Sequence, residues 1–142
     1  MSQYLSFFTR SSQGEYLPLA SYSRSTEVYQ AMRHAPYGRI RSYSASELAN
    51  TIIALDDNIN SAVTSIKSLQ KAIESVERMT GHTVEEKIET VTLLNSDIQE
   101  AKEEIEVIKR FKHEIGFLME MIPEIPIYAG IEISEPTDAD RV

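Results

Sequence analysis

LANTIIALDDNINSAVTSIKSLQKAIESVERM, residues 48–79, carries an apolar residue every three or four positions without a break. Read as heptads, Ile52, Ile59, Ile66 and Ile73 take one core position, and Leu48, Leu55, Ala62, Leu69 and Val76 take the other. That spacing is the seam of a coiled coil. The start of the helix is written just upstream, where Ser44 with Glu47 fits a capping box in which each side chain satisfies the other residue's orphan amide. Gly81 stands where a left-handed C-terminal cap is needed, and Thr83 with Glu86 is a second capping box that opens a second helix. A link this short reaches only an antiparallel neighbour, so the spacing predicts a helical hairpin.

The second helix, expected over Val84 to Ile122, has a seam of Ile88, Val91, Leu94, Ile98, Ala101, Ile105, Ile108, Phe111, Ile115, Leu118 and Ile122. In a hairpin, facing layers have position numbers with a constant sum. The pairs from Val76 with Ile88 through Leu48 with Ile115 sum to 163 or 164, with Ala62 meeting Ala101. Ile at one core position and Leu at the other also suits a parallel dimer, but the mirror match and the tight turn favour partners within one chain. Two helices make a thin core, which leaves open a homo-oligomer that stacks two hairpins. The polar flanks Asp56, Asn58, Ser65, Gln70, Asp97, Lys102 and Glu104 argue against extensive stacking.

Outward from the hairpin, Tyr4 to Arg10 and Tyr16 to Tyr22 read as two strands around the turn residues Ser11 to Glu15, with Pro18 suited to an edge. A short helix from Glu27 to about Arg33 is stopped by Pro36 and Gly38, and Arg39 to Tyr43 forms a third strand. Pro123 and Pro126 end the second long helix, after which Ile127 to Ile133 alternates as a strand able to join the others. The expected fold is therefore α+β: a head over residues 1–47, an antiparallel two-helix hairpin over 48–122, a strand within 123–134 returning to the head, and a mobile polar tail over 135–142.

Composition narrows the function more by what it omits. A chain of 142 residues with 42% apolar and 25% charged content is that of one folded domain, and the absence of cysteine removes disulfides, thiolate nucleophiles and Cys-held metals. His34, His82 and His113 are scattered, and no phosphate loop, dinucleotide fingerprint, nucleophile elbow or zincin motif occurs. The expectation is a protein that is not an enzyme, with no catalytic residue, cofactor or metal. No apolar run is long enough for a membrane span and no signal peptide is evident, which points to the cytoplasm. The net charge of −8 divides unevenly, +3 over residues 1–43 and −11 over the remainder.

These features nominate three candidate partner-binding surfaces. Arg24, Arg33, Arg39 and Arg41 with Tyr22 and Tyr43 form an arginine and tyrosine set in the head, His82 marks the hairpin tip, and Glu100, Glu103 and Glu104 lie on an acidic helix face. Arginine and tyrosine suit contacts to phosphate and bases, whereas serines that cap helices and arginines that satisfy the chain's own carboxylates account for the same residues without a ligand. A carboxylate row on a helix can stand in for a nucleic-acid backbone inside a basic channel. The stretch Tyr4 to Tyr29, with Ser21-Tyr22-Ser23-Arg24-Ser25-Thr26, resembles the start of small uncharacterised proteins of phages and prophages of gut bacteria. That resemblance implies a phage or mobile-element protein, in the host cytoplasm or the virion, and such proteins are often virion components or inhibitors of host defence. The expected role is protein–protein interaction or assembly, followed by inhibition of a nuclease or defence system through the acidic face, then nucleic-acid binding through the head.

Overall fold

A computed structural model describes residues 3–141 and divides the chain into two compact units, Met1–Asp56 with Val107–Val142, and Asp57–Glu106. The elements are β1 (Tyr4–Arg10), β2 (Tyr16–Ser23), α1 (Glu27–Ala31), β3 (Arg41–Tyr43), α2 (Ala45–Arg78), α3 (Val84–Phe111), α4 (Phe117–Met121) and β4 (Ile127–Ile131). The fold is α+β, with a four-stranded antiparallel sheet and two long helices packed as a hairpin.

The first unit is built on the sheet, whose order is β2-β1-β4-β3. The C-terminal strand β4 lies inside the sheet between β1 and β3, and all five of its residues are buried. Alternation assigns the faces. Leu5 and Phe7 point to the helical side, where Phe7, Tyr22 and Phe111 pack ring against ring at 5.5–5.9 Å between centroids. Leu48, Leu55, Ile108, Phe111 and Ile115 are buried in this unit. The hairpin's inner ends, assigned by sequence to residues 48–122 as a whole, therefore serve the sheet as its covering layer.

The opposite face carries Tyr4, Ser6, Phe8 and Arg10 on β1, and a second core forms there from Phe8, Ile40, Tyr128 and Ile133 with Tyr16 against it. Two segments without regular structure cover this face. The stretch from Pro36 to Ile40 crosses β4 at Gly130, held by the Gly38 amide on the Ile131 carbonyl (2.9 Å) and the Ile131 amide on the Pro36 carbonyl (2.8 Å). Only a residue with no Cβ allows that crossing, because a methyl on Gly130 would collide with the Arg39 carbonyl. The C-terminal segment, expected to be a mobile tail, is tied in instead. The Ile40 amide donates to the Asp140 carbonyl (2.7 Å), Arg10 pairs with Asp138 (2.8 Å), and Thr137 with Asp140 caps a 3-10 turn over Asp138–Asp140.

The capping box at Ser44 forms as the sequence predicts: the Ser44 amide donates to Glu47 Oε1 (3.1 Å) and the Glu47 amide to Ser44 Oγ (3.2 Å). The expected single helix from Val84 to Ile122 is interrupted by a π-helical turn over Lys112–Gly116 before α4. The turn holds Lys112, His113, Glu114 and Gly116, and its i→i+5 bonds widen the helix locally.

The second unit, Asp57–Glu106, holds the part of the hairpin that includes its turn. Ala62, Ile98 and Ile105 are buried, while Ile59, Ile66, Leu69, Ile73 and Val76 on α2 and Val91, Leu94 and Ala101 on α3 are half-buried. Gly81 takes the left-handed conformation expected at the turn (φ 82°). Thr83 Oγ1 accepts the Glu86 amide (3.1 Å), but the Glu86 carboxylate turns to His82 Nδ1 (3.1 Å). One assignment is corrected here: Ile88, placed in the seam by sequence, is 60% exposed, and Lys87 is half-buried in its stead with its ammonium on the Glu77 carbonyl (3.4 Å). The steps from Val91 through Leu94, Ile98, Ala101 and Ile105 alternate three and four. A four-residue step back from Val91 lands on Lys87, whereas Ile88 requires two threes in succession.

Candidate interaction surfaces

Two of the head's arginines, Arg10 and Arg41, and Arg110 of α3 repeat one arrangement in which a guanidinium lies over a tyrosine ring and pairs with a carboxylate. Arg10 sits 4.9 Å from the Tyr16 ring centre and pairs with Asp138. Arg41 sits 4.2 Å from Tyr43 and pairs with Glu47. Arg110 sits 4.8 Å from Tyr22 and pairs with Glu114 (2.9 Å), which also accepts the Tyr22 hydroxyl (3.1 Å). Arg141 over Tyr128 (5.3 Å) repeats the stacking part alone. Planar guanidinium both stacks and pairs, which suits arginine to these positions.

The electrostatics follow from these contacts. Burial, then the Glu114 carboxylate, pushes the Tyr22 phenol well above its ordinary range. Burial also raises Tyr43, with the Arg41 guanidinium opposing it. Arg41 and then the Ser44 amide hold Glu47 below the usual carboxylate range. Tyr29 is raised chiefly by its hydrogen bond with Tyr37, whose hydroxyl lies 3.2 Å away.

The candidate residues thus separate. Tyr22 and Tyr43 are buried and Arg41 is committed to Glu47, so these three belong to the internal packing and not to a free arginine and tyrosine surface. Arg24, Arg33 and Arg39 are exposed, each in a different turn: after β2, after α1, and in the segment that crosses Gly130. His82 is exposed at the hairpin turn beside Glu86. Glu100 and Glu103 are exposed on α3 with Gln99 donating to Glu103 (3.4 Å), while Glu104 is half-buried.

Two surfaces outside these residues are better built. The first lies on the last turns of the helical layer. Phe117 and Met121 stand four residues apart, 49% and 63% exposed, and His113 stacks on Phe117 at 5.6 Å. His113 and Phe117 line a groove of about 360 Å³ together with Ile52, Lys112, Gly116 and Glu120. The π turn positions this stripe, and Lys112 anchors it through Asp56 (2.7 Å). The sequence places Phe117, Met119 and Met121 beside Leu118 and Ile122 on a widened apolar base of the hairpin, which predicts their burial; Phe117, Met121 and Ile122 are instead exposed.

The second is a groove of about 610 Å³ on the outer face of the sheet. Phe8, Pro18 and Ile133 supply apolar lining, Ser6 and Ser21 face each other at 3.0 Å between hydroxyls, and Tyr4, Glu132 and Ser134 complete the wall. Glu132 takes a left-handed backbone conformation (φ 64°) that non-glycine residues seldom adopt, held by its amide on the Tyr4 carbonyl (2.9 Å). Nothing in the sequence around Glu132 signals that conformation. Among the described residues no group of three or more His, Asp or Glu is set to hold a metal ion, and no helix is long and apolar enough to cross a membrane. No protein-family model, curated protein or solved structure matches the chain.

Proposed function

We propose that the chain is a non-enzymatic protein–protein interaction or assembly protein that engages its partner through the helical stripe of Phe117 and Met121. The observation that carries this reading is the exposure of those two large side chains in adjacent turns, with Phe117 lining a groove of mixed polarity. Exposed apolar surface of this kind is characteristic of contact sites, and aromatic residues and methionine are enriched at interface cores. His113 and Lys112 supply a polar rim to it. A role as a virion component, suggested by the resemblance of the N-terminal stretch, is one form of this reading.

The test is a comparison of wild type with Phe117→Glu/Met121→Glu, both checked for native circular dichroism. Self-association by light scattering across concentration, and retention of a single defined partner from host lysate, are measured on each. Loss of the wild-type association in the double variant supports the reading. An association that persists unchanged, or that is lost instead on reversing Glu100 and Glu103 to lysine, transfers the function to the acidic face of α3 and its decoy role.

A further inference from the structure

We infer that the groove on the outer face of the sheet receives a lysine or arginine side chain from an extended segment of a protein partner. The inference is independent of the helical stripe and rests on a comparison internal to the molecule. Three times in the first unit a tyrosine ring and a carboxylate hold a guanidinium between them: Tyr16 with Asp138, Tyr43 with Glu47, and Tyr22 with Glu114. In the groove the same two groups recur as Tyr4, 47% exposed, and Glu132, with the apolar lining of Phe8, Pro18 and Ile133. Among the described residues no cation stacks on Tyr4 or pairs with Glu132.

The chemistry of that lining selects the occupant. A neutral apolar side chain would leave the Glu132 carboxylate desolvated and unpaired, which is costly. An anion would be repelled. Lysine and arginine satisfy both parts, laying their methylene stems along apolar surface while the head reaches a carboxylate and a ring face. The left-handed backbone at Glu132 fixes where its carboxylate leaves the chain, and the Glu132 amide on Tyr4 ties it to the neighbouring strand. Strained conformations of this kind cluster at ligand clamps.

The groove also borders an edge strand. Pro18 and Ser21 of β2 line it, and β2 is the outermost strand on that side. A peptide in extended conformation can therefore lie along β2 while projecting one side chain into the groove, the usual manner of recognition at a sheet edge. Pro18 offers no amide to an added strand, so such a peptide pairs with the other residues of β2.

The experiment is a titration of the ¹⁵N-labelled full chain with an acetylated, amidated hexapeptide of alternating lysine and leucine, followed by amide shifts, with the glutamate-for-lysine peptide as control. The expected result is saturable shifts at Tyr4, Ser6, Ser21 and Ser134 with the lysine peptide only. The dissociation constant should rise about tenfold in Glu132→Gln and in Tyr4→Leu, and stay unchanged in Glu100→Gln/Glu103→Gln, each variant keeping the wild-type dispersion of signals. Absence of shifts at millimolar peptide overturns the inference. So do shifts that run along the carboxylates of α3, or affinity that Glu132→Gln leaves as it was.

Discussion

Gly130→Ala is the substitution that most directly tests how the sheet's outer face is closed. An added methyl would overlap the Arg39 carbonyl oxygen and stand 2.9 Å from its carbonyl carbon and 3.3 Å from Ile40 Cα. All of these are backbone atoms, so no rotamer change relieves the contact. Restoring ordinary carbon–carbon separation requires the Pro36–Ile40 segment to lift by roughly 1 Å. That movement stretches three hydrogen bonds: Gly38 to Ile131 (2.9 Å), Ile131 to Pro36 (2.8 Å) and Ile40 to Asp140 (2.7 Å). It also withdraws the fully buried Ile40 from Phe8, Tyr128 and Ile133. With each weakened bond costing about 0.5–1.5 kcal/mol and partial exposure of Ile40 about 1 kcal/mol, the expected loss is about 3 kcal/mol. Gly38→Ala supplies the control, because Gly38 has open space around its Cα and is constrained only by its left-handed backbone (φ 69°). Its expected cost is about 1 kcal/mol. Urea denaturation followed by circular dichroism measures both midpoints. A Gly130→Ala loss no larger than that of Gly38→Ala would refute the close crossing and, with it, the account of how the C-terminal segment is held.

The phase of the hairpin seam is tested by Ile98→Ala, which empties a buried layer and should cost about 2–3 kcal/mol, against Ile88→Lys, which alters an exposed position and should change stability by no more than about 0.5 kcal/mol. Equal losses in denaturant melts would restore Ile88 to the seam. The raised Tyr22 phenol gives an alkaline signature. The unfolded chain releases this proton near pH 10, its ordinary value of 10.0, whereas the folded protein retains it to higher pH, so the stability it contributes is intact below pH 10 and declines as pH rises above it. Tyr22→Phe should flatten the alkaline fall by up to about 1.4 kcal/mol per pH unit. An unchanged slope in melts between pH 9 and 11 would mean that Tyr22 ionises equally in both states.

What the sequence made legible was what depends on local period and local chemistry. Alternation placed β1 and β2 to within a residue, the three-and-four spacing placed both long helices, and Ser44 with Glu47 marked a helix start that the hydrogen bonds reproduce. Ile88 shows the limit of that reading. Its identity as isoleucine outweighed the spacing rule, and the spacing rule, which selects Lys87, describes the burial. The strand order β2-β1-β4-β3 was beyond local reading, since β4 pairs with β1 across more than a hundred residues and no nearby residue records that partner.

The candidate sites failed to emerge from sequence for the same reason. Arg10 and Asp138 are 128 positions apart, and Tyr22 and Glu114 are 92 apart, so composition alone could report an excess of arginine in the head but not its destination. Once those destinations are known, the excess changes meaning. A basic head beside an acidic body reads as a nucleic-acid surface only while its cations are free and together; here Arg10 and Arg41 each close a ring-and-carboxylate set, and Arg24, Arg33 and Arg39 stand in separate turns. The charge that remains available is the complement of that pairing. It is negative at Glu132 and along α3, and positive at the separate turns of Arg24, Arg33 and Arg39 and at exposed helix lysines such as Lys67, Lys71 and Lys102. The two proposed contacts, a cationic side chain at the sheet and an apolar one at the last helix, are each drawn from what this internal pairing leaves exposed.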